Sequence, residues 1–307
     1  MAPTVTPIGP ALDLGEGPYW DEENQTLFYV DIFKHSIHSY RPQTDEHHVV
    51  EVDSEGQPVS LIVKVKGEQT KFVISVKNSL AIVHWDGLST KSLKPEVIVN
   101  LESSDNPTRI NDGKCDPSNR LWAGTMSSKK EDHTKEVGSF YLLQHDKKVV
   151  KHLSNVSISN GLAWSLDKKK MYYIDSLKYG IDSYDYDETS GTISNGKQVF
   201  CFKKNNIDGS PDGMTIDSEG MLWVACFMGA RVLRIDPSTG ELKFTLEIPS
   251  YQVTSVCFGG PNLEDLYVTS AKQGFTEELE EKYPLAGYSF KVTGLGVKGT
   301  PSVPIKL

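Results

Sequence analysis

Six oxygen-bearing residues recur along the 307-residue chain at nearly even intervals. They are Glu16, Ser60, Asn111, Asn160, Asp212 and Thr254, separated by 44, 51, 49, 52 and 42 residues. Two are carboxylates and two are carboxamides, and no His or Cys shares the register. Oxygen donors without nitrogen or sulfur suit a hard cation, Ca²⁺ above all. The overall charge agrees: 41 acidic against 32 basic residues give a net −9. That balance disfavours nucleic acid and anionic membranes, which are bound through concentrated Lys and Arg. A turn reading stands beside the cation reading, because Asn160-Gly161 and Asp212-Gly213 also have turn composition. Turn chemistry does not account for Glu16 or for the polarity shared by all six positions.

The elements that must position these residues form a repeat. A short apolar strand, a turn rich in Asp, Gly, Asn or Lys, and a second apolar strand recur as GEGPYWDEENQTLFYVD from Gly15 and NGLAWSLDKKKMYYID from Asn160. The pattern returns as PDGMTIDSEGMLWVA from Pro211 and INDGKCDPSNRLWAG from Ile110, with looser copies from Val59 and Val253. Each copy reads as a β-hairpin and is followed by a further strand pair. Six copies make about 51 residues per unit, the size of a four-stranded propeller blade. Helical signal is confined to residues 277–283. The expected fold is all-β: a six-bladed β-propeller with a central metal site, one domain over residues 1–307. Residues ahead of Gly15 are expected to add a strand to the last blade and close the ring. A two-sheet sandwich with a second β domain is the alternative. In the propeller, the six register positions head the innermost strands and converge on the channel axis.

Motifs throughout the chain resemble one family. GEGPYW, RINDGKCDP with RLWAGTM, SNGLAWS with MYYIDS, PDGMTID and FGGPNLEDLYVTSA, with GLGVKG near the end, are similar to the senescence marker protein, regucalcin, gluconolactonase and luciferin-regenerating enzyme family. The resemblance runs from about residue 15 to residue 299. It implies a six-bladed propeller with one divalent metal in the channel, the ligands falling on Glu16, Asn160 and Asp212. The family's substrate contacts fall on Arg109 and Asn111. Where vertebrate regucalcins carry an acidic substrate contact after the AGTM-like motif, this chain has Lys129. That departure alters how a polyhydroxy substrate would be held, and Glu131 is the nearby acidic alternative. Residues 127–137 form the candidate lid, or else a solvated charged loop.

A metal with three protein ligands keeps positions open for water and substrate. It can polarise an ester carbonyl while Asp212 acts as general base, its own pKa held low by the cation. The implied reaction is hydrolysis of a lactone of the gluconolactone type. The ion is Ca²⁺ by preference, with Zn²⁺, Mn²⁺ or Mg²⁺ open. The resemblance leaves two alternatives: a luciferin-regenerating enzyme acting on an oxyluciferin-derived nitrile, and a non-catalytic Ca²⁺-binding regulatory protein.

Other chemistries lack their residues. No G-x-S-x-G elbow, P-loop, dinucleotide fingerprint or H-E-x-x-H occurs. The eight histidines are expected in turns or at hairpin edges. Trp20, Trp122, Trp164 and Trp223 read as blade packing. Cys115, Cys201, Cys226 and Cys257 show no C-x-x-C spacing and read as reduced thiols of a cytoplasmic protein. No apolar run approaches a membrane span, and the amino terminus lacks signal-peptide character. The terminal Pro-Ile-Lys-Leu is only a weak peroxisomal match. The expected partner is a small-molecule substrate, with no nucleic acid, no membrane and a monomeric state.

Overall fold

The computed structural model describes residues 2–307. Its strands form six four-stranded antiparallel sheets, and the chain passes through them in order, as the repeat implies. Blades 1 to 5 begin with innermost strands Gly15–Asp21, Ile62–Lys64, Thr108–Cys115, Ser159–Trp164 and Ser210–Ile216. Blade 6 comprises Gln252–Gly259, Asp265–Ala271 and Ser289–Thr293, with Thr4–Ile8 as its outermost strand. Thr4 pairs with Thr293 and Ile8 with Ser289, so the expected amino-terminal closure is present. Joining both ends of the chain in one sheet leaves no blade exposing a long unpaired edge to its neighbour.

The hairpin turns explain why the repeat is readable. In five of the six blades a residue one or two positions before the second strand takes a left-handed conformation: Gln25, Asn119, Lys168, Gly220 and Leu263 all have φ between 48° and 82°. The turn aspartate then organises its own loop. Asp116 accepts from the N–H groups of Ser118 and Arg120, and its other oxygen accepts from Trp122 Nε1. Asp217 repeats this with Glu219, Met221 and Trp223. The four repeat tryptophans are buried, as expected of blade packing. Trp122 packs on Phe140, which meets Tyr173 of the next blade. Stacked Trp20 and Tyr267 join blades 1 and 6 in the same way.

Among the described residues the single α-helix, Glu277–Lys282, is capped by Thr276 and coincides with the one helical signal. Among the described residues no helix is long and apolar enough to cross a membrane. The cysteines are free thiols, three of them buried. One expectation fails: His38 is neither in a turn nor at a hairpin edge. It lies inside the strand Ser36–Arg41, buried and stacked on Tyr29, because the outer strands of blade 1 bury side chains beneath the closing strand.

Candidate functional site

The innermost strands carry the register residues at breaks in their pairing. Ladder register shifts between Glu16 and Tyr19, Ile110 and Asp112, Ser159 and Leu162, Pro211 and Met214, and Val253 and Ser255. A bulge leaves a residue unpaired and re-aims its side chain, here toward the channel. In blade 2 the position precedes the strand, and Ser60 lies just ahead of Ile62. Asn160-Gly161 and Asp212-Gly213 are therefore strand interior, and the turn reading does not hold. Glycine is needed there for close approach. A Cβ on Gly213 would lie 2.0 Å from Ser255 Oγ, and one on Gly161 would lie 2.6 Å from Met214 Cβ.

The six positions divide into two groups. Ser60 and Thr254 tie blades together: Ser60 Oγ donates to Ile110 O at 2.8 Å, and Thr254 Oγ1 donates to Gly15 O at 2.6 Å. The other four meet at the upper end of the channel with Arg109. Asn111 Nδ2 donates to Asn160 Oδ1 at 3.0 Å, and Asn160 Nδ2 donates to Ser176 Oγ at 2.7 Å. Ser176 Oγ in turn donates to Pro211 O, which anchors the residue before Asp212. Glu16, Arg109, Asn111, Asn160 and Asp212 are each at most 9% exposed.

Charge is concentrated here out of water. Burial, then the carboxylate of Asp112, pushes Glu16 up to about 8, against the Gly17 N–H and Arg109. Asp212 is pushed well above the carboxylate range by burial, then by Glu16 and Asp112, with Arg109 and the Gly213 N–H opposing. Burial pulls Arg109 down to about 10, opposed by Glu16 and Asp212, so it remains cationic at neutral pH. The protein's own groups thus act on Asp212 in the direction opposite to the expected cation. Asp112 was missed by sequence reasoning. It is buried beside Asn111, and the R-I-N-D-G-K motif held the signal: an acidic side chain next to Asn111 at the same bulge.

The oxygen set suits a hard cation. Asp212 Oδ1 is buried without a hydrogen-bond partner, and the one hydrogen bond found at Glu16 joins its Oε2 to Gly17 N. Asn160 adds an amide oxygen held by Asn111. Among the described residues no group of three His, Cys, Asp or Glu side chains is arranged to hold an ion. The candidate set has only two carboxylates, its third member being an amide.

The expected lid residues occupy the same end. Lys129 is exposed at the start of the 3₁₀ turn Lys130–Asp132, and only its backbone bonds to Ser127. Lys129 is thus not drawn into the buried cluster. His133, which sequence reasoning passed over, is half-buried. Its pKa is lowered by burial and then by the positive charge of Arg109, which puts His133 of this segment near the Arg109 end of the channel. Phe33, partly exposed, lies 5.8 Å beneath the Arg109 guanidinium and gives this mouth an aromatic wall.

Comparison with known proteins places this geometry in context. Residues 14–272 match the family model described as the SMP-30/Gluconolactonase/LRE-like region. Regucalcin of Danio rerio is 42% identical over 290 residues, covering 94% of this chain and 93% of that protein. The structure of a luciferin-regenerating enzyme aligns over 100% of both chains with a TM-score of 0.93 and 45% identity. A calcium-binding protein, regucalcin, from Agrobacterium tumefaciens aligns over 97% of this chain and 95% of its own, with a TM-score of 0.86 and 26% identity.

Proposed function

Because the chain belongs to the SMP-30/gluconolactonase/LRE-like family, we propose that it is a divalent-metal-dependent hydrolase of lactones whose site is the upper channel cluster. The observation carrying this reading is the orphaned Asp212 Oδ1, a buried carboxylate oxygen beside Glu16 and Arg109. Glu16, Asn160 and Asp212 would hold the ion, Ca²⁺ by preference, with Zn²⁺, Mn²⁺ or Mg²⁺ as alternatives. When bound, such an ion would supply Lewis-acid polarisation of a carbonyl and lower the pKa of water.

The remaining work falls to the chain's own groups. Asp212 accepts the proton of the attacking water. Arg109 places a fixed positive charge where the ring ester's oxygen gains negative charge, in a site too dry to screen it. Asn111 holds a substrate hydroxyl while its own amide fixes Asn160. Lys129 contacts substrate from the rim, and residues 127–137 cover the site. Water adds across the ester and the product is the open hydroxy acid. We take the substrate as the only partner and the protein as a cytoplasmic monomer.

A second reading is favoured by the 45% identity to the luciferin-regenerating enzyme structure and by Phe33 at the mouth. In it the same site acts on an aromatic nitrile. The test is hydrolysis of D-glucono-δ-lactone by metal-stripped protein resupplied with each ion, beside Asp212→Ala. Metal-dependent turnover that disappears in the variant supports the lactonase. Ion binding without turnover removes it and leaves the nitrile substrate or a Ca²⁺-binding regulatory role.

A further inference from the structure

The channel has a second chamber at its other end, of about 360 Å³, to which all six innermost segments contribute. Tyr19, Val63, Lys114, Trp164, Ile216 and Val256 each line it from a different blade. Its floor is the carboxy-terminal segment, through Thr300, Pro301 and Ser302. That segment is tied across the lower face: Trp20 N donates to Ser302 Oγ, Thr300 Oγ1 to Ile216 O, and Ile305 N to Lys64 O. The wall is mainly apolar, and Leu166 at the rim is 51% exposed.

Two lysines line this apolar room: Lys168 is exposed at the rim and paired with Glu188 at 2.9 Å, which leaves Lys114 as the cation inside. Lys114 is half-buried on an innermost strand, and its ammonium donates to Met214 O. No carboxylate lies within 4.0 Å of it among the described residues. An ammonium has three donors, so two remain for a guest. Asp112, at the chamber's upper edge, accepts from Gly113 N and also faces the acidic cluster above. It therefore bars an anionic head from that end and leaves the ammonium as the anchoring point. A mainly apolar cavity with one placed charge is the usual form of a small-molecule site.

The geometry points to a second ligand site here, for an amphipathic monoanion whose carboxylate-like head sits on Lys114 and whose apolar body fills the chamber. At ~30 Å³ per water-sized group the space takes about a dozen heavy atoms. Apart from Asp112, which borders both, this site shares no residue with the proposed hydrolytic one, and it does not depend on that reading.

Isothermal titration of the full chain with octanoate, 1-octanol and octylamine tests it without any measure of turnover. Octanoate should bind one to one and about tenfold more tightly than 1-octanol, the scale of a charge-assisted hydrogen bond. Lys114→Met should abolish that preference and Lys114→Arg should retain it. Pro301→Trp, at an exposed position of the floor, should weaken octanoate at least tenfold by narrowing the mouth. Arg109→Met, at the opposite end, should leave it unchanged. Absence of octanoate binding, equal affinity for the three probes, or loss of binding in Arg109→Met with retention in Pro301→Trp would overturn the assignment.

Discussion

Asn111 and Asn160, from adjacent blades, share a hydrogen bond in which the Asn111 amide donates to the Asn160 oxygen at 3.0 Å. The same Asn111 nitrogen donates to Ser159 O at 2.9 Å, so it is fixed by two acceptors of blade 4. The residue expected to meet substrate thus orients a residue expected to hold the ion. Asn111→Ala should raise KM for the lactone and also weaken ion binding. The expected loss is about 1 kcal/mol, one buried hydrogen bond, or several-fold in affinity. Thermal-shift titration with Ca²⁺ measures the second effect separately from turnover. An unchanged ion affinity would show that Asn160 needs no such support.

Gly213 sets how closely blades 5 and 6 approach behind Asp212. A methyl group there meets the side chain and Cα of Ser255 at 2.0 to 2.6 Å, which no rotamer change can relieve. Gly213→Ala should cost about 3 kcal/mol or more by overpacking and displace Asp212 with it. Gly113→Ala, with contacts of 2.7 to 3.1 Å, should cost less. Urea unfolding of both variants gives the comparison, and equal midpoints would contradict it.

Lys129 is exposed and Arg109 is buried, so their substitutions should have different kinetic signatures. Lys129→Ala should change KM by a few-fold with kcat unaltered, as for a contact made equally in ground and transition states. Arg109→Met should lower kcat by about two orders of magnitude, since its charge is matched to the developing oxyanion. Steady-state kinetics on one lactone distinguishes them. A fall in kcat for Lys129→Ala would move that residue into the reacting cluster.

The His38–His47 contact gives the protein an acid-sensitive point far from the channel. His38 Nδ1 lies 3.0 Å from His47 Nε2, and His38 Nε2 lies 3.0 Å from Ser36 Oγ. Burial, then the neighbouring His47, lowers His38 from 6.5 to about 3. The unfolded chain therefore binds a proton below pH 6.5 that the folded chain refuses. Stability is full above that value and is lost as pH falls toward 3, by up to ~1.4 kcal/mol per pH unit. His38→Gln should flatten the fall in melting temperature between pH 6.5 and 4. An unchanged slope would assign the acid sensitivity elsewhere.

The sequence by itself determined the blade and its period. Alternating apolar strands, the turn aspartate and the buried tryptophan are local, and Asp116 and Trp122 meet within one hairpin. It also set which residues reach the axis, because the register position recurs once per blade. What each does there was not legible. Thr254 and Ser60 looked equivalent to Asn160 and Asp212, yet they close interblade joints, one spanning 239 residues of chain. Such partners lie on other blades, and no local pattern names them. Burial likewise belongs to the closed ring: only there do Asp112, Glu16 and Asp212 share one dry space and shift one another's ionisation. The lower chamber depends on the carboxy-terminal segment lying across the channel, a placement set by contacts of Ser302, Thr300 and Ile305 with Trp20, Ile216 and Lys64, partners on other blades that no local pattern names.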